Sequence, residues 1–356
     1  MYVPAGRNET EMRLLWFYTA TTYKSFFTGA GGVELNDHVL KTKVVEHAFA
    51  NPFLMNCVLA LSSMHINHLG LTHLGVPSIK AIQYRAQAFE GYRNAVEAAD
   101  PASFPALVAC SLLLCGVSSQ MFREDARPLY ILDWIVVWRG IGLIIRLCKY
   151  ETIFKSGLGM LFFRPNINLD LCAKHVPKYL VQMVASIPPD DPDSENIPLY
   201  LRTLAYIGSL YKELVDNGLT PFLDVRVVTL LTFIPKPYIE LARQRRKPAL
   251  VIITYYLVFA KCVKSIWWAR DISDREIVYI ANLLGPEWNQ VMAVPLAAAQ
   301  MTDELEIARL LLGDTAWEPP FGDRVEEVLW REGGKMSWVD DEGHTLGLEA
   351  LYKKFS

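Results

Sequence analysis

The chain has 356 residues, of which 52% are hydrophobic and 21% are charged, and its formal net charge is −3. This apolar content excludes a chain that is disordered throughout, because there is enough apolar surface to build a large core. The near-neutral charge supplies no basic surface of the kind that binds phosphates, so the composition predicts no direct nucleic-acid binding.

The first half of the chain spaces its apolar residues as helices do. Near the N-terminus one such stripe is expected to face the core: Met12, Trp16, Ala20, Tyr23 and Phe27. Further on, Asn51 and Pro52 predict a helix start, with Asn51 as the N-cap. Asp100 and Pro101 repeat this signal before the apolar run 107–117, which predicts a central buried helix.

The second half continues with the same helical period. Further helices are predicted over residues 129–147, 199–215, 249–269 and 287–299. Gly285 and Pro286 form the start signal of the last of these helices. Because alternation with a period of two residues is nearly absent, we predict an all-α fold.

Two segments interrupt the helical pattern. Residues 186–198 are acidic and rich in proline, which is typical of a loop. The glycine-rich tail 333–347 accommodates a short hairpin at residues 341–343. We predict one domain over residues 1–356, with two sub-layers joined by the 186–198 loop.

The apolar runs are those of buried helices rather than membrane spans, which need roughly 20 apolar residues. The run 131–147, for example, contains Asp133, Arg139 and Arg146. The first residues lack the pattern of a secretory signal, and the six cysteines form no Cys-x-x-Cys pair. We therefore expect no membrane span and a reducing, cytoplasmic location.

Histidines cluster at one place, where His65, His68 and His73 lie close together in the sequence. A shared metal would require a carboxylate ligand at helical spacing, and none follows. Ordinary histidines at a helix end are therefore favoured, and we predict no metal site.

The most acidic segment, residues 190–195, has the composition of the aspartate-rich motif that binds magnesium and diphosphate in class I terpene synthases. In that chemistry the aspartates line a helix wall, whereas these lie among Pro188, Pro189 and Pro192. A solvated acidic loop is the favoured interpretation.

The basic run of Arg243, Arg245, Arg246 and Lys247 has two interpretations. It is typical of a nuclear localisation patch, but cations in the last turn of a helix before Pro248 also complement the helix dipole, and we favour this second interpretation. The chain carries no glycine-rich phosphate loop, dinucleotide fingerprint or nucleophile elbow, so we predict no cofactor.

Aromatic pairs point towards a ligand. Trp134 and Trp138 are one helical turn apart, and the predicted helix 249–269 carries Tyr256 and Trp267 eleven positions apart, close to one face. Such stripes usually belong to the core. Large rigid rings with a polar edge also suit a cavity for a bulky apolar ligand, so both interpretations stay open.

Three stretches carry a family resemblance: residues 51–65, residues 138–141 and residues 247–295. The last contains, in order, Pro248-Ala249-Leu250, Tyr255-Tyr256, Trp267-Trp268-Ala269-Arg270, Leu284-Gly285-Pro286-Glu287-Trp288 and Val294-Pro295. By their order and spacing, residues 12–295 resemble the C-terminal regulatory domain of fungal zinc-cluster transcription regulators of the sterol-uptake-control type. The resemblance implies an all-α domain with an internal apolar pocket, followed by an extension over residues 296–356.

The chain departs from that family at its N-terminus. The regulators carry a six-cysteine zinc cluster that contacts DNA, and this sequence contains no such cluster. The expectation is therefore a ligand-binding domain that stands alone.

Two classes of function follow. We favour a cofactor-free cyclase of fungal natural-product biosynthesis that catalyses a pericyclic, Diels–Alder-type step on a terpenoid. Folding the substrate into its reactive shape supplies roughly 7–11 kcal/mol in favourable cases, and one hydrogen-bond donor adds about 3 kcal/mol. The alternative is a ligand-sensing regulator domain in the nucleus, which signals through a DNA-binding partner.

The same residues serve both hypotheses, and for each of them an ordinary core role is the alternative. The candidate catalytic donors are Tyr255, Tyr256, Trp267, His65 and Arg139. The candidate walls of the ligand pocket are Trp16, Met64, Met121, Trp134 and Trp138. The expected partner is an apolar small molecule, and a homodimer is compatible with either hypothesis.

Overall fold

The protein is described by a computed structural model over residues 9–26, 37–124, 128–263, 266–269, 272–321, 336–339 and 345–347. The predicted all-α fold class is confirmed, since helices dominate these ranges. The chain divides into two compact units. The first unit comprises Met1–Asp125, Val136–Phe163 and Ser337–Ser356, and the second comprises Ala126–Ile135 and Arg164–Met336.

The first unit is built around one apolar helix. Its described α-helices are α1 (Glu9–Ala20), α2 (Val44–Ala50), α3 (Pro52–His68), α4 (Ser78–Ala98), α5 (Phe104–Glu124), α6 (Ile131–Cys148, from Val136 onward) and α7 (Tyr150–Lys155). Helix α3 packs against α1, α2, α4 and α5. Because α3 is apolar on nearly all sides, its residues are buried along most of its length and it forms the core of this unit.

The second unit has the same design. Its described α-helices are α8 (Leu169–Ala173), α9 (Lys178–Ala185), α10 (Ile197–Asn217), α11 (Pro221–Leu230), α12 (Lys236–Arg243), α13 (Lys247–Lys261), α14 (Ile272–Leu284), α15 (Asn289–Ala299) and α16 (Glu304–Leu312), with the first turn of α6. Helix α13 packs against α10, α14 and α15. Every residue of α13 from Pro248 to Ala260 is buried, so this helix forms the core of the second unit.

Helix α13 is shorter than the sequence predicts. It ends at Lys261, and Trp267 lies on a separate 3₁₀ turn, Trp267–Ala269. The last turn tightens as the N–H of Cys262 donates to the Phe259 carbonyl, three residues back, at 2.9 Å. The prediction of one helix over residues 249–269 is therefore wrong.

Helix α1 buries a different face from the predicted one. Met12 and Trp16 are 55% and 58% exposed, whereas Phe17 and Tyr18 are buried. The Tyr18 hydroxyl donates a hydrogen bond to the Leu40 carbonyl at 3.3 Å. The helix has apolar residues on two faces, and these contacts select the one that packs inward; Phe27, from the predicted stripe, lies outside the described residues.

The predicted helix starts are confirmed in position, but only one side chain caps as expected. The Asp100 carboxylate accepts a hydrogen bond from the Ala102 N–H at 3.0 Å. The Asn51 side chain instead donates from Nδ2 to the His47 carbonyl at 2.9 Å. Asn51 therefore satisfies the end of α2 rather than the start of α3.

The structure also shows the predicted 186–198 loop and a small sheet in the region of the predicted hairpin. The 186–198 loop joins α9 to α10 inside the second unit. In the described ranges, three short strands form one small sheet in the order β1 (Phe163–Pro165), β2 (Met336–Val339) and β3 (Thr345–Gly347). Strands β2 and β3 are antiparallel, with Ser337 opposite Gly347. The predicted turn at 341–343 lies outside the described residues.

One segment of the described chain is long and apolar enough to cross a membrane. It is the stretch Pro101–Ser119, and 78% of the scored window is buried inside the structure. The core helix of a folded unit has these same properties.

Gly208 and Gly140 differ in the space available for a side chain, and this difference can be tested by mutation. A Cβ atom on Gly208, in α10, would overlap the backbone carbonyl of Cys172 in α8, whereas a Cβ on Gly140, in α6, meets nothing within 4 Å. We expect Gly208→Ala to lower the free energy of unfolding by about 1–3 kcal/mol. The control Gly140→Ala should raise it by roughly 0.5–1 kcal/mol, because alanine favours the helix. Urea titrations of both variants measure this, and equal effects would contradict the packing.

Candidate functional site

The predicted site residues are divided between the two units. The first unit holds His65, Arg139, Trp16, Met64, Met121 and Trp138. The second holds Tyr255, Tyr256, Trp267 and Trp134. Each group is therefore considered within its own unit.

His65 in α3 is a satisfied core histidine. Its Nδ1 lies 3.1 Å from the Thr22 hydroxyl, and its ring makes an edge contact with Phe17 at 5.7 Å between centroids. Burial, with a smaller contribution from His68, lowers the pKa of His65 to about 4. The imidazole is therefore neutral at pH 7 and is not a cationic proton donor. Within the described ranges, no group of three His, Cys, Asp or Glu side chains has the geometry of a metal site.

The other candidates of the first unit have mixed environments. Met64 and Trp138 are buried, as expected of pocket walls, but the exposed Trp16 does not fit an enclosed wall. Arg139 is half-buried, and burial together with Arg146 lowers its pKa. Met121 lies in α5, and its side chain is outside the description.

In the second unit, the polar groups of α13 must find partners inside the core, because the helix is buried on all sides. The Thr254 hydroxyl donates to the Leu250 carbonyl at 2.6 Å. The Tyr255 hydroxyl donates to the Val291 carbonyl of α15 at 2.7 Å. Two of the three hydroxyl groups on this helix are thus paired.

The third hydroxyl, that of Tyr256, has no such partner. Tyr256 is 0% exposed, and its oxygen makes no hydrogen bond within the described residues. Burial raises its pKa, so the phenol stays protonated and is available as a donor. Leaving a buried hydroxyl unpaired costs about 1–3 kcal/mol, so this group is energetically unfavourable as it stands among the described residues.

Neighbouring aromatic rings form pairs in the second unit. Tyr255 lies beside Tyr179 of α9, with 6.1 Å between ring centroids, and Tyr179 is partly exposed. Trp134 makes an edge contact with Trp268 at 5.9 Å. Trp267 is buried next to it in the chain. The structure therefore brings Trp134 close to the Trp267–Trp268 segment, which was not predicted.

Three residues of the basic run, Arg243, Arg246 and Lys247, lie within 4 Å of carboxylate oxygens. Arg243 pairs with Asp133 at 3.1 Å, and Lys247 pairs with Glu287 at 2.7 Å. Arg243 lies in the last turn of α12 as predicted, but Lys247 begins α13. The helix-dipole explanation therefore applies to Arg243 alone, and Arg245 lies exposed in the same run.

The acidic loop is less solvated than predicted. Asp193 is buried, accepts a hydrogen bond from the Tyr200 hydroxyl at 2.7 Å, and lies 3.9 Å from Arg246. Its backbone N–H donates to the Asp191 carboxylate at 2.7 Å. These contacts give the loop a structural role between α9 and α10.

One buried titratable residue, Glu276, was not predicted from the sequence. Glu276 of α14 is 1% exposed, and neither of its oxygens makes a well-formed hydrogen bond within the described residues. Burial raises its pKa to about 7, although the backbone of Ile131 and the charge of Arg275 pull the pKa back down. The available signal was a glutamate on the apolar face of a helix, between Ile272 and Ile280.

Residues 14–226, more than half of the chain, match the model of the fungal specific transcription factor domain, and the chain belongs to that family. The predicted resemblance to fungal transcription regulators is thereby confirmed.

Two relatives are similar to long stretches of this chain. The chain is 21% identical over 322 residues to a Zn(2)-C6 fungal-type transcription factor of Gibberella zeae, covering 83% of this chain and 62% of that protein. It is 25% identical over 226 residues to sterol uptake control protein 2 of Candida albicans, covering 58% of this chain and 30% of that protein. The matches span less than two thirds of the length of either relative.

We expect the two adjacent tyrosines of α13 to respond differently to replacement by phenylalanine. Tyr255→Phe should lower the free energy of unfolding by about 1–2 kcal/mol, because the Val291 carbonyl loses its donor. Tyr256→Phe removes an unpaired hydroxyl and should leave the stability unchanged or raise it by about 1 kcal/mol. Thermal and urea unfolding of the ligand-free protein measure both. A larger loss in Tyr256→Phe than in Tyr255→Phe would contradict this assignment.

Glu276 predicts a pH dependence of stability. Its pKa is about 7 in the folded protein and 4.5 in the reference state, so folding takes up a proton between these values and stability falls as pH rises through that window. We expect Glu276→Gln to stabilise the protein by up to about 3 kcal/mol at pH 8. The gain should fade towards pH 4.5. A gain that is the same at pH 5 and pH 8 would show that the carboxyl group titrates normally.

Proposed function

We propose that this chain is the ligand-responsive regulatory domain of a fungal transcription regulator, and that its ligand is a bulky apolar molecule of the sterol or terpenoid class. Family membership and the names of both relatives support the regulatory role. A nuclear location follows from the same proposal. The name of the Candida albicans relative favours a sterol as the first ligand to test.

The unpaired hydroxyl of Tyr256 is the observation that supports a ligand in the second unit. It lies on a helix whose other residues are apolar or already paired, so a ligand there would be held mainly by apolar contacts. One oxygen on the ligand would accept the phenolic hydrogen. A sterol or an oxygenated terpenoid has this combination of a large apolar body and a single polar group.

Binding would act on the regulator through stability. A ligand that binds the folded unit and not the unfolded chain stabilises it according to its concentration and affinity. Bonding the Tyr256 hydroxyl would also remove a local energetic cost. The ligand-bound unit would thus be the more ordered state, and that difference is what a regulator transmits.

The regulator hypothesis has more support than the cyclase hypothesis. The chain belongs to a transcription factor domain family, one relative is named a transcription factor and the other a control protein, and the five proposed catalytic donors are divided between two units. His65 is neutral and already paired with Thr22. The cyclase hypothesis has no specific observation of this kind in its favour.

The proposed function is tested by sterol binding to the purified protein. Dehydroergosterol, which is fluorescent, is titrated into wild type, Tyr256→Phe and the matched control Tyr255→Phe, and energy transfer from tryptophan is followed. We expect saturable binding that Tyr256→Phe weakens about tenfold through the loss of one hydrogen bond. Tyr255→Phe should bind as wild type does, because its hydroxyl is already paired.

Mass spectrometry and chromatography of the recovered ligand complete this test. A chemically unchanged ligand supports a sensor, whereas an isomer of the same mass would favour the cyclase hypothesis. No saturable binding of sterols or of oxygenated terpenoids, or equal binding by wild type and Tyr256→Phe, would contradict the proposal.

A further inference from the structure

Another buried polar group of the second unit has no partner of opposite charge among the described residues. Arg164 of β1 is 8% exposed. Its Nη1 donates to the Thr232 hydroxyl at 2.6 Å, and its guanidinium carbon lies 5.1 Å from the centre of the Phe233 ring. Both partners are uncharged.

By contrast, the largely buried Arg226 of the same unit has a carboxylate partner. Arg226 is paired with Glu213 at 2.9 Å, and Glu213 also accepts a hydrogen bond from Asn217. Among the described residues, no carboxylate forms an ion pair with Arg164. Burial alone lowers the pKa of Arg164 to about 10, so it remains a cation at pH 7. A buried cation without a counter-ion is unfavourable, which distinguishes Arg164 from an ordinary structural arginine.

The guanidinium is held in a fixed position. The Thr232 hydroxyl engages Nη1, and the Phe233 ring beneath it stacks on Tyr206 with 5.8 Å between centroids and 13° between planes. A guanidinium group has five N–H donors in a planar fork. One of them is used within the described structure, which leaves the edge formed by Nε and Nη2 for a planar, two-point contact with an oxyanion.

We propose that Arg164 is the recognition group of an anion-binding site, which takes the carboxylate or phosphate group of a small organic molecule beside Thr232 and Phe233. The anion supplies the missing counter-charge. The site shares no residue with the one proposed at Tyr256, and it does not depend on the sterol-type ligand.

Thermal unfolding of the full chain with two simple probes tests this site. Sodium phosphate and sodium benzoate are compared with sodium chloride at equal ionic strength, in wild type, Arg164→Met, Arg164→Lys and the control Arg245→Met. Arg245 is an exposed cation of the same unit, so its variant reports the general effect of one lost surface charge. General stabilisation by phosphate acts on all four proteins alike.

We expect at least one probe to raise the unfolding midpoint of wild type and Arg245→Met beyond the rise in chloride, and Arg164→Met to lose this extra rise. The probe with the larger effect identifies the group as phosphate or carboxylate. Arg164→Lys keeps the charge but loses the fork, so its affinity for that probe should fall at least tenfold. Without any probe, Arg164→Met should unfold at the wild-type temperature or above it.

Equal midpoint rises in wild type and Arg164→Met, or no extra rise in wild type with either probe, would overturn the proposal. If Arg164→Met does not fold, Arg164 has a structural role. The Arg164→Lys variant then tests whether the guanidinium fork recognises the anion. An unchanged affinity in Arg164→Lys would then exclude recognition by the guanidinium fork.

Discussion

Complete burial of α13 is the constraint on which the second unit depends. A helix with apolar residues on all sides must be surrounded by other helices, and α10, α14 and α15 contact it. The same burial means that each hydroxyl on the helix must be bonded from within. The Leu250 and Val291 carbonyls meet this requirement for Thr254 and Tyr255, and nothing in the described structure meets it for Tyr256.

Charged side chains connect the start of α13 to neighbouring segments. At the start of α13, Arg246 lies near Asp193 and Lys247 pairs with Glu287, so the helix start is tied to two other segments. The Lys247–Glu287 pair is exposed, and such a pair contributes only about 0–1 kcal/mol, so it fixes the geometry more than it stabilises the fold. Glu276 and Arg164 contrast with them: both are buried without an ionic partner among the described residues, and such exceptions are where function is best sought.

The helices were predictable from the sequence to the extent that local signals were strong. The apolar run 107–117 lies within α5 and the run 250–260 within α13, but the end of α13 at Lys261 carries no glycine or proline to mark it. The face of α1 depended on contacts with distant residues, which periodicity does not contain. Tyr255 and Tyr256 are identical neighbours in the sequence, and only the position of the Val291 carbonyl distinguishes a paired hydroxyl from an unpaired one.

A crystal structure of the protein with bound ergosterol would show which atom bonds the Tyr256 hydroxyl. We expect ligand density inside the second unit, with the sterol hydroxyl about 2.6–3.0 Å from the Tyr256 hydroxyl. An ordered sterol whose oxygen is bonded elsewhere, while the Tyr256 hydroxyl bonds to a protein atom, would contradict it.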